Sequence, residues 1–159
     1  MDSPDDFPEH RPNVGVVLFN AQGLVWQGHR EGDPDPNLWQ FPQGGVDDGE
    51  DLETAARREL AEETGVTSVS LLGRTDGWLA YDFPAGYQPH RKQSWRGQKQ
   101  AWFAFRFEGE DDEVKLDQHH SIEFDAWRWG PLASAPDLVI PFKRAVYLQV
   151  AAAFSRFAA

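Results

Sequence analysis

The stretch Gly44–Val66, which reads GGVDDGEDLETAARRELAEETGV, joins a glycine-rich segment to the clearest helix of the chain. The pattern predicts that this helix spans Leu52–Thr64. Asp51 is a favourable N-terminal cap, and Gly65 stands where a left-handed residue commonly ends a helix. The sequence therefore predicts a well-delimited helix that is entered from an irregular, glycine-rich loop.

Two carboxylates of this helix share the arc of a helical wheel that its apolar side chains occupy. That arc contains Leu52, Ala55, Ala56 and Leu60. Glu59 and Glu63 fall inside it, and Glu62 lies at its edge, whereas a surface helix normally turns its carboxylates to water. Burial of clustered carboxylates raises their pKa values or requires a cation, and Mg²⁺ and Mn²⁺ prefer oxygen ligands. We therefore expect a metal site, the alternative being an ordinary solvated glutamate-rich helix.

The same stretch resembles the motif of the Nudix hydrolases. The motif has a glycine, a glutamate six residues later, Arg-Glu, an aliphatic residue, Glu-Glu and a final glycine. Every specified position is present: Gly44, Glu50, Arg58, Glu59, Leu60, Glu62, Glu63, Gly65 and Val66. The resemblance implies an α/β fold, the α/β/α Nudix sandwich with a mixed β-sheet.

Segments outside the motif resemble one subgroup of this family. They are RPNVG at 11–15, WQFPQGG at 39–45, WLAYDFP at 78–84, WRGQKQ at 95–100, EFDAWRW at 123–129 and PFKRAVY at 141–147. Members of this subgroup remove pyrophosphate from the 5′ end of triphosphorylated RNA, or hydrolyse dinucleoside polyphosphates such as diadenosine tetraphosphate. The resemblance implies a metal-dependent hydrolase of phosphoanhydride bonds. The alternatives are a house-cleaning nucleoside triphosphate pyrophosphohydrolase and a non-catalytic nucleotide sensor.

The resemblance also implies roles for acidic residues. Ligands for Mg²⁺ or Mn²⁺, with two or more ions expected, would come from Glu59, Glu62, Glu63, Glu123 and a backbone carbonyl near Gly44. The catalytic set would be Glu59, Glu63 and Glu123, with the proton acceptor left open between Glu59 and Glu123. A supporting ion pair between Glu50 and Arg58 would fix the loop against the helix.

Substrate contacts are expected from a second set of side chains, Arg11, Arg30, Gln43, Tyr81 and Lys143. Arginine suits phosphate because its planar fork binds two oxygens at once. The alternative for each is a solvated side chain, or in the case of Tyr81 a packed strand residue. The loop over 84–99 is locally basic and could receive an RNA chain through His90, Arg91, Lys92, Arg96 and Lys99.

Composition narrows the class of protein. The chain has 159 residues and a net charge of −11, so we expect one domain that is a poor general binder of nucleic acid, DNA included. The partner that the resemblance implies is a nucleotide or an RNA 5′ end, bound as the substrate. The absence of cysteine excludes disulfides and thiol nucleophiles, and no apolar stretch is long enough to span a membrane.

We expect a cytoplasmic protein with an acidic, disordered tail at 1–10 and a single domain at 11–159. The sequence does not indicate any protein partner.

Further elements follow from hydrophobic patterning and turn residues. Strands are expected over Val14–Phe19, Leu24–His29, Val69–Leu72, Trp78–Phe83, Gln100–Phe107 and Phe124–Trp129. Residues 38–49 are expected to be irregular backbone, and Pro141 is expected to begin a final helix that runs to about Phe157.

Overall fold

The computed structural model describes residues 6–87, 95–118 and 121–159. Seven strands lie within these ranges: β1 (His10–Phe19), β2 (Val25–Arg30), β3 (Gln43–Gly45), β4 (Val69–Arg74), β5 (Leu79–Asp82), β6 (Gly97–Phe107) and β7 (Phe124–Gly130). Three helices accompany them: α1 (Leu52–Thr64), α2 (Ala135–Leu138) and α3 (Arg144–Phe154).

The strands form one mixed sheet around a parallel pair, β1 and β6, in the order β4-β6-β1-β2-β7. All other pairings in this sheet are antiparallel. The far edge of β6 is shared between β5 and β4, and the opposite edge of β1 is shared between β3 and β2. This sharing brings the starts of β1 and β6 next to β3 and β5, which is where the candidate site lies.

The sheet is covered on both faces. Alternate residues of β1 and β6 point to opposite sides, as the period of a strand requires. Val14, Val16 and Phe105 pack with Ala56 and Leu60 of α1 on one face. The other face packs against α3 through a second buried cluster that includes Val17, Trp102, Tyr147 and Val150. The α/β/α sandwich expected from the sequence is therefore the observed architecture.

The helix predicted over Leu52–Thr64 is confirmed at both ends. The Asp51 carboxylate accepts a hydrogen bond from the backbone N–H of Thr54, and Gly65 adopts the left-handed conformation with φ of 80°. A side chain is disfavoured at that backbone conformation, which explains why a glycine ends the helix. The two caps fix the register of α1 and hence the direction of its carboxylates.

Several boundaries differ from the expected ones. Residues 43–45, expected to be irregular, form β3, because the glycine-rich backbone pairs with Asn13–Gly15 of β1. The expected final helix is divided into α3 and two short 3₁₀ turns, at Pro141–Lys143 and Ser155–Phe157. The helix α2 was not expected, since a four-residue helix has no periodicity that a sequence can show.

The start of the first strand differs from the boundary expected between the tail at 1–10 and the domain at 11–159. Strand β1 begins at His10, which is buried, so regular structure starts within the segment expected to be a disordered tail. No helix among the described residues is long and apolar enough to cross a membrane.

Candidate active site

A cavity of about 750 Å³ opens where β3, β5 and the starts of β1 and β6 meet the last turns of α1. One side of its wall is acidic and carries Glu59, Glu63 and Glu123. The same cavity is also bordered by the cationic side chains Arg11, Arg30 and Lys143, of which Arg30 lies 3.5 Å from the Glu123 carboxylate. We call these the acidic wall and the basic wall. All three predicted catalytic residues and all five predicted substrate-binding residues border this single space.

The acidic wall is supported by Arg58. Its guanidinium donates two hydrogen bonds of 2.8 Å to the Glu50 carboxylate and one of 2.9 Å to the backbone oxygen of Gly45. The same group contacts Glu59 at 3.0 Å and Glu62 at 3.3 Å. The hydrogen bonds from Arg58 lower the pKa of Glu50 to about 2. The predicted Glu50–Arg58 pair is present and ties the glycine-rich loop to α1.

Glu59 and Glu63 of α1 occupy a very different environment from that of Glu50. Glu63 is only 7% exposed, and burial together with the nearby Glu123 and Glu59 raises its pKa well above the usual range. Burial also raises the pKa of Glu59, which is hydrogen-bonded to Glu63. The backbone N–H of Gln43 donates to Glu63 at 3.3 Å, a long bond for a buried carboxylate. Burial and mutual repulsion therefore disfavour the charged forms of these two carboxyl groups.

Gly44 allows the Glu59 carboxyl group to lie directly on the backbone of β3. A Cβ atom built at Gly44 would lie 2.0 Å from Cδ of Glu59, a distance that no side chain could tolerate. A Cβ at Gly45 would similarly lie 2.2 Å from Nη2 of Arg11. The two glycines thus let one carboxylate and one guanidinium approach the loop backbone closely.

The other two predicted metal ligands are placed less centrally. Glu62 is drawn to Arg58 and does not border the cavity, while Glu123 lies at its rim, with Arg30 Nε 3.5 Å from its carboxylate. Among the described residues, no group of three acidic or histidine side chains converges closely enough to hold a metal ion as it stands. Mutual repulsion of the carboxylates and their attraction to arginines account for this spacing.

The donor set nevertheless fits a hard divalent cation. Two or three carboxylate oxygen donors face one cavity, and Glu63 is a buried acid whose charge the protein compensates only weakly. Burying such a carboxylate is costly unless a positive charge accompanies it. Glu59, Glu63 and Glu123 can reach a shared cation, with the Gly44 backbone beside them, and Glu62 can join them only if it leaves Arg58.

The basic wall is organised by a chain of hydrogen bonds. Nζ of Lys143 donates to the Gln43 side chain at 3.1 Å, Gln43 donates to Gln98 at 3.2 Å, and the Tyr81 hydroxyl donates to the same Gln98 oxygen. Lys143 is 7% exposed, and burial, with help from Arg30, lowers its pKa to about 8. Tyr81 is also buried, which raises its pKa. The wall thus presents a cation whose charge is sensitive to pH near neutrality.

The predicted basic loop does not contribute in the way the sequence indicated. His90, Arg91 and Lys92 lie outside the described residues. Arg96 pairs with Asp82 at 2.9 Å, and Lys99 is buried over the Trp78 ring with its Nζ bonded to the backbone oxygen of Asp6. Neither Arg96 nor Lys99 borders the cavity, since both are engaged in structural contacts beside it.

Some residues of the cavity wall were not expected from the sequence. They include Asn13, Gln40, Asp47, Phe83, Tyr87, Gln98 and Ser121. Gln98 lies in the segment WRGQKQ at 95–100, and the resemblance of that segment to the subgroup is the signal that could have found it. The others carry no local signal, because their places depend on how distant segments meet.

A cavity bordered by both buried carboxylates and cationic side chains is compatible with a protein that binds phosphoanhydrides together with a divalent cation. The comparisons agree with this class. The model of the NUDIX domain matches residues 9–150. The chain therefore belongs to the Nudix family, whose members generally need divalent metal ions.

Relatives of known name are similar over nearly the whole chain. An RNA pyrophosphohydrolase of Caulobacter vibrioides is 63% identical over 155 residues, covering 96% of this chain and 90% of that one. An RNA pyrophosphohydrolase of Agrobacterium fabrum is 51% identical over 162 residues, covering 94% of each. The expectation of a hydrolase that acts on phosphoric anhydrides is confirmed by this family membership and these relatives.

Solved structures confirm the fold. A Caenorhabditis elegans Ap4A hydrolase in a binary complex superposes with a TM-score of 0.61 at 21% identity, covering 90% of this chain and 98% of that one. The dihydroneopterin triphosphate pyrophosphohydrolase of Escherichia coli gives a TM-score of 0.62 at 19% identity, covering 88% and 95%. Both neighbours share the Nudix sandwich with this chain.

Proposed function

We propose that this chain removes pyrophosphate from the 5′ end of triphosphorylated RNA by hydrolysis of a phosphoanhydride bond, with Mg²⁺ or Mn²⁺ as cofactor and two or more ions bound. The observation that carries the proposal is the one cavity that Glu59 and Glu63 border together with Arg30 and Lys143. The names of relatives at 51% and 63% identity support RNA as the substrate.

The basic wall binds and orients the polyphosphate. Arg11, Arg30 and Lys143 are cations at the cavity wall, and charge-assisted hydrogen bonds to phosphate oxygens are the strongest that side chains make. Gln43 and Gln98 hold Lys143 and Tyr81 in one hydrogen-bonded arrangement. Such a preorganised wall fixes one phosphorus atom near the acidic wall, which lowers the entropic part of the barrier.

The acidic wall supplies the ligands and the proton acceptor. Glu59, Glu63 and Glu123 would hold the cations, and Glu62 would join them after release from Arg58. When bound, the divalent ions supply charge neutralisation of the phosphates and acidification of water. Glu59, which borders the cavity beside the Gly44 backbone, is one candidate acceptor for the proton of the attacking water. Glu123 is the alternative acceptor at the rim of the cavity.

A second candidate substrate is a dinucleoside polyphosphate such as diadenosine tetraphosphate. The favouring observation is aromatic: Phe83 and Tyr87 border the same cavity with their rings stacked at 5.1 Å. Tyr87 is partly exposed and offers a surface on which a second base could stack. The charged walls serve either substrate equally, so only turnover separates them.

Product analysis tests the proposal. Triphosphorylated RNA, diadenosine tetraphosphate and nucleoside triphosphates are compared at equal concentration, each with Mg²⁺ and with Mn²⁺. We expect RNA with a 5′ monophosphate, pyrophosphate as the product, and the highest kcat/KM for the RNA. Preference for diadenosine tetraphosphate would favour the second candidate, and preference for free nucleoside triphosphates would favour a house-cleaning enzyme. Binding without turnover of any of these substrates would identify a sensor.

A further inference from the structure

A second chain of hydrogen bonds runs beside the one on the basic wall and ends at the cavity. The indole N–H of Trp102 donates to the side-chain oxygen of Gln100 at 3.0 Å. The side-chain nitrogen of Gln100 donates to the side-chain oxygen of Asn13 at 2.8 Å. All three residues are buried, and Asn13 and Gln100 are direct partners in the β1–β6 register.

The direction of this chain is fixed by chemistry. An indole nitrogen can only donate, so the group of Gln100 next to Trp102 must be its oxygen. The amide nitrogen of Gln100 must then face Asn13 and can bond only to the Asn13 oxygen. It follows that the NH₂ group of Asn13 is turned away from β6, and a flipped amide would break the chain.

The NH₂ group of Asn13 takes no part in this chain of hydrogen bonds, although the side chain is almost fully enclosed. Asn13 is 1% exposed and belongs to the cavity wall, where its backbone pairs with Gly45. Within residues 6–87, 95–118 and 121–159, no protein acceptor bonds its Nδ2. Because Asn13 lines the cavity, an amide N–H group turned away from β6 is available to a ligand atom.

The surroundings of Asn13 identify the class of that ligand atom. Arg11 lies two residues earlier on the same side of β1, and its guanidinium packs against Gly45. The carboxyl group of Glu59 lies against Gly44. Asn13 shares its face of β1 with Arg11 and borders the cavity that Lys143 also borders, so a ligand atom that reaches its N–H group lies near cations, where a phosphate oxygen is favoured.

We propose that the Asn13 amide donates to a non-bridging oxygen of the substrate's polyphosphate, and that Gln100 is a positioning residue that holds this donor in the required orientation. The inference rests on the proposed function, because it assigns one more contact to the same site. Asn13 would then distinguish a phosphate oxygen, which only accepts, from ligand groups that donate.

Three variants test the assignment. Asn13→Asp keeps an oxygen that accepts from Gln100, so the hydrogen bonds from Trp102 through Gln100 to residue 13 are preserved. It removes the N–H donor that faces the cavity. Gln100→Glu still accepts a hydrogen bond from the indole N–H of Trp102. Its other carboxylate oxygen can only accept, so the NH₂ group of Asn13 must turn to it and the Asn13 oxygen then points toward the cavity. Asn13→Ala removes the amide altogether. Gln149→Glu, on the exposed part of α3, is the matched control for an amide exchanged for a carboxylate.

The measured quantities are the Kd of a guanosine triphosphate analogue with methylene bridges and the KM and kcat on triphosphorylated RNA. We expect Asn13→Asp, Asn13→Ala and Gln100→Glu each to weaken analogue binding about 10-fold or more, the loss expected for one hydrogen bond to a charged group. The loss should appear mainly in KM. Gln149→Glu should bind as the wild type does. Circular dichroism and thermal unfolding verify that each variant is folded.

The double variant Asn13→Ala/Gln100→Glu separates positioning from general damage. We expect it to bind no more weakly than Asn13→Ala alone, because Gln100 acts through Asn13. Wild-type Kd values for both Asn13 variants would overturn the donor role, and additive losses in the double variant would overturn the positioning role. If the wild-type protein binds the analogue but does not cleave triphosphorylated RNA, the proposed function fails while the Asn13 assignment is still decided by the Kd values.

Discussion

Glu50 and Glu63 are the same residue type in the same motif, yet their environments are opposite. Glu50 receives two short hydrogen bonds from Arg58, and these lower its pKa to about 2. Glu63 receives one long bond from a backbone N–H, and burial raises its pKa well above the usual range. The first carboxylate is satisfied by the protein itself, and the second is not.

The difference between Glu50 and Glu63 shows that some residues of the motif stabilise the loop and the helix, whereas others remain available for chemistry. The pairing of Glu50 with Arg58 holds the glycine-rich loop against α1 through the backbone oxygen of Gly45. That contact in turn places Gly44 where the Glu59 carboxyl group can lie against it. A charge that is fully compensated stabilises the fold, whereas a buried charge left without compensation is available for a cation and a reaction.

The largest effect is expected for Glu63→Gln. The variant keeps the acceptor oxygen for the N–H of Gln43 but cannot carry a negative charge, so we expect turnover of triphosphorylated RNA to fall by roughly 10²–10⁴-fold. The melting temperature should be unchanged or higher, because a buried carboxylate has been neutralised. Rate measurements with Mg²⁺ and thermal unfolding without it examine the two expectations separately.

Glu53→Gln is the matched control for that variant, because Glu53 lies on the same helix with a partly exposed carboxylate that pairs with Arg57. It should retain nearly the wild-type rate. A Glu63→Gln enzyme with wild-type turnover would remove the distinction between the chemical and the structural part of α1.

A smaller effect, on stability, is expected for Arg58→Gln. Removing the guanidinium leaves Glu50 without its partner and frees the loop, so we expect a loss of about 2–3 kcal/mol in the free energy of unfolding. Arg57→Gln, at the neighbouring position, removes an exposed pair with Glu53 and should cost about 0.5 kcal/mol or less. Urea unfolding of both variants measures the contrast, and equal losses would contradict a structural role specific to Arg58.

The sequence was sufficient for the helix and its carboxylates, since their signals are local. The caps at Asp51 and Gly65 and the inward direction of Glu59 and Glu63 all follow from the spacing within one helix. The strand β3 was missed because its pairing with β1 compensates for a glycine-rich composition that disfavours strands. Local periodicity contains no information about a partner thirty residues away.

The hydrogen bonds within the basic wall likewise could not be predicted from the sequence. Arg11, Arg30 and Lys143 were expected to bind substrate, but the chain from Lys143 through Gln43 to Gln98 joins three distant segments. Lys99 shows the converse case: a lysine expected in a basic RNA-binding loop is buried against Trp78. A positive charge in the sequence identifies a candidate substrate-binding residue, and only the packing of the fold determines whether its side chain reaches the cavity.

Lys143 extends the comparison to the basic wall and predicts a pH dependence. Burial lowers its pKa to about 8, so the side chain is charged below that pH and neutral above it. We expect kcat/KM on triphosphorylated RNA to fall as the pH rises through about 8. Lys143→Gln should be about 10-fold less active at pH 7 and should lose this alkaline limb. A profile from pH 6.5 to 9.5 measures both, and an unchanged limb in the variant would exclude Lys143 as its origin.

The smallest effect concerns the pair His29–Asp125, which resembles Glu50–Arg58 except that the imidazole is charged only when it is protonated. Nδ1 of His29 lies 2.7 Å from Asp125, and its Nε2 lies 3.0 Å from the backbone oxygen of Asp35. Both partners are acceptors and therefore favour the doubly protonated ring, and the hydrogen bond to Asp125 is the largest cause of the raised pKa of His29. Its stabilising contribution is fully present below the unfolded pKa of about 6.5 and is lost as the pH rises through the higher folded value.

His29→Gln should therefore be less stable than the wild-type protein by about 0.5–1 kcal/mol at pH 5.5 and nearly equal to it at pH 9. Asp125→Asn should show the same convergence, because it removes the other half of the pair. Urea unfolding at the two pH values measures the difference. A stability loss that is independent of pH would mean that His29 acts by packing against Trp39, whose ring lies 6.0 Å away, rather than by its charge.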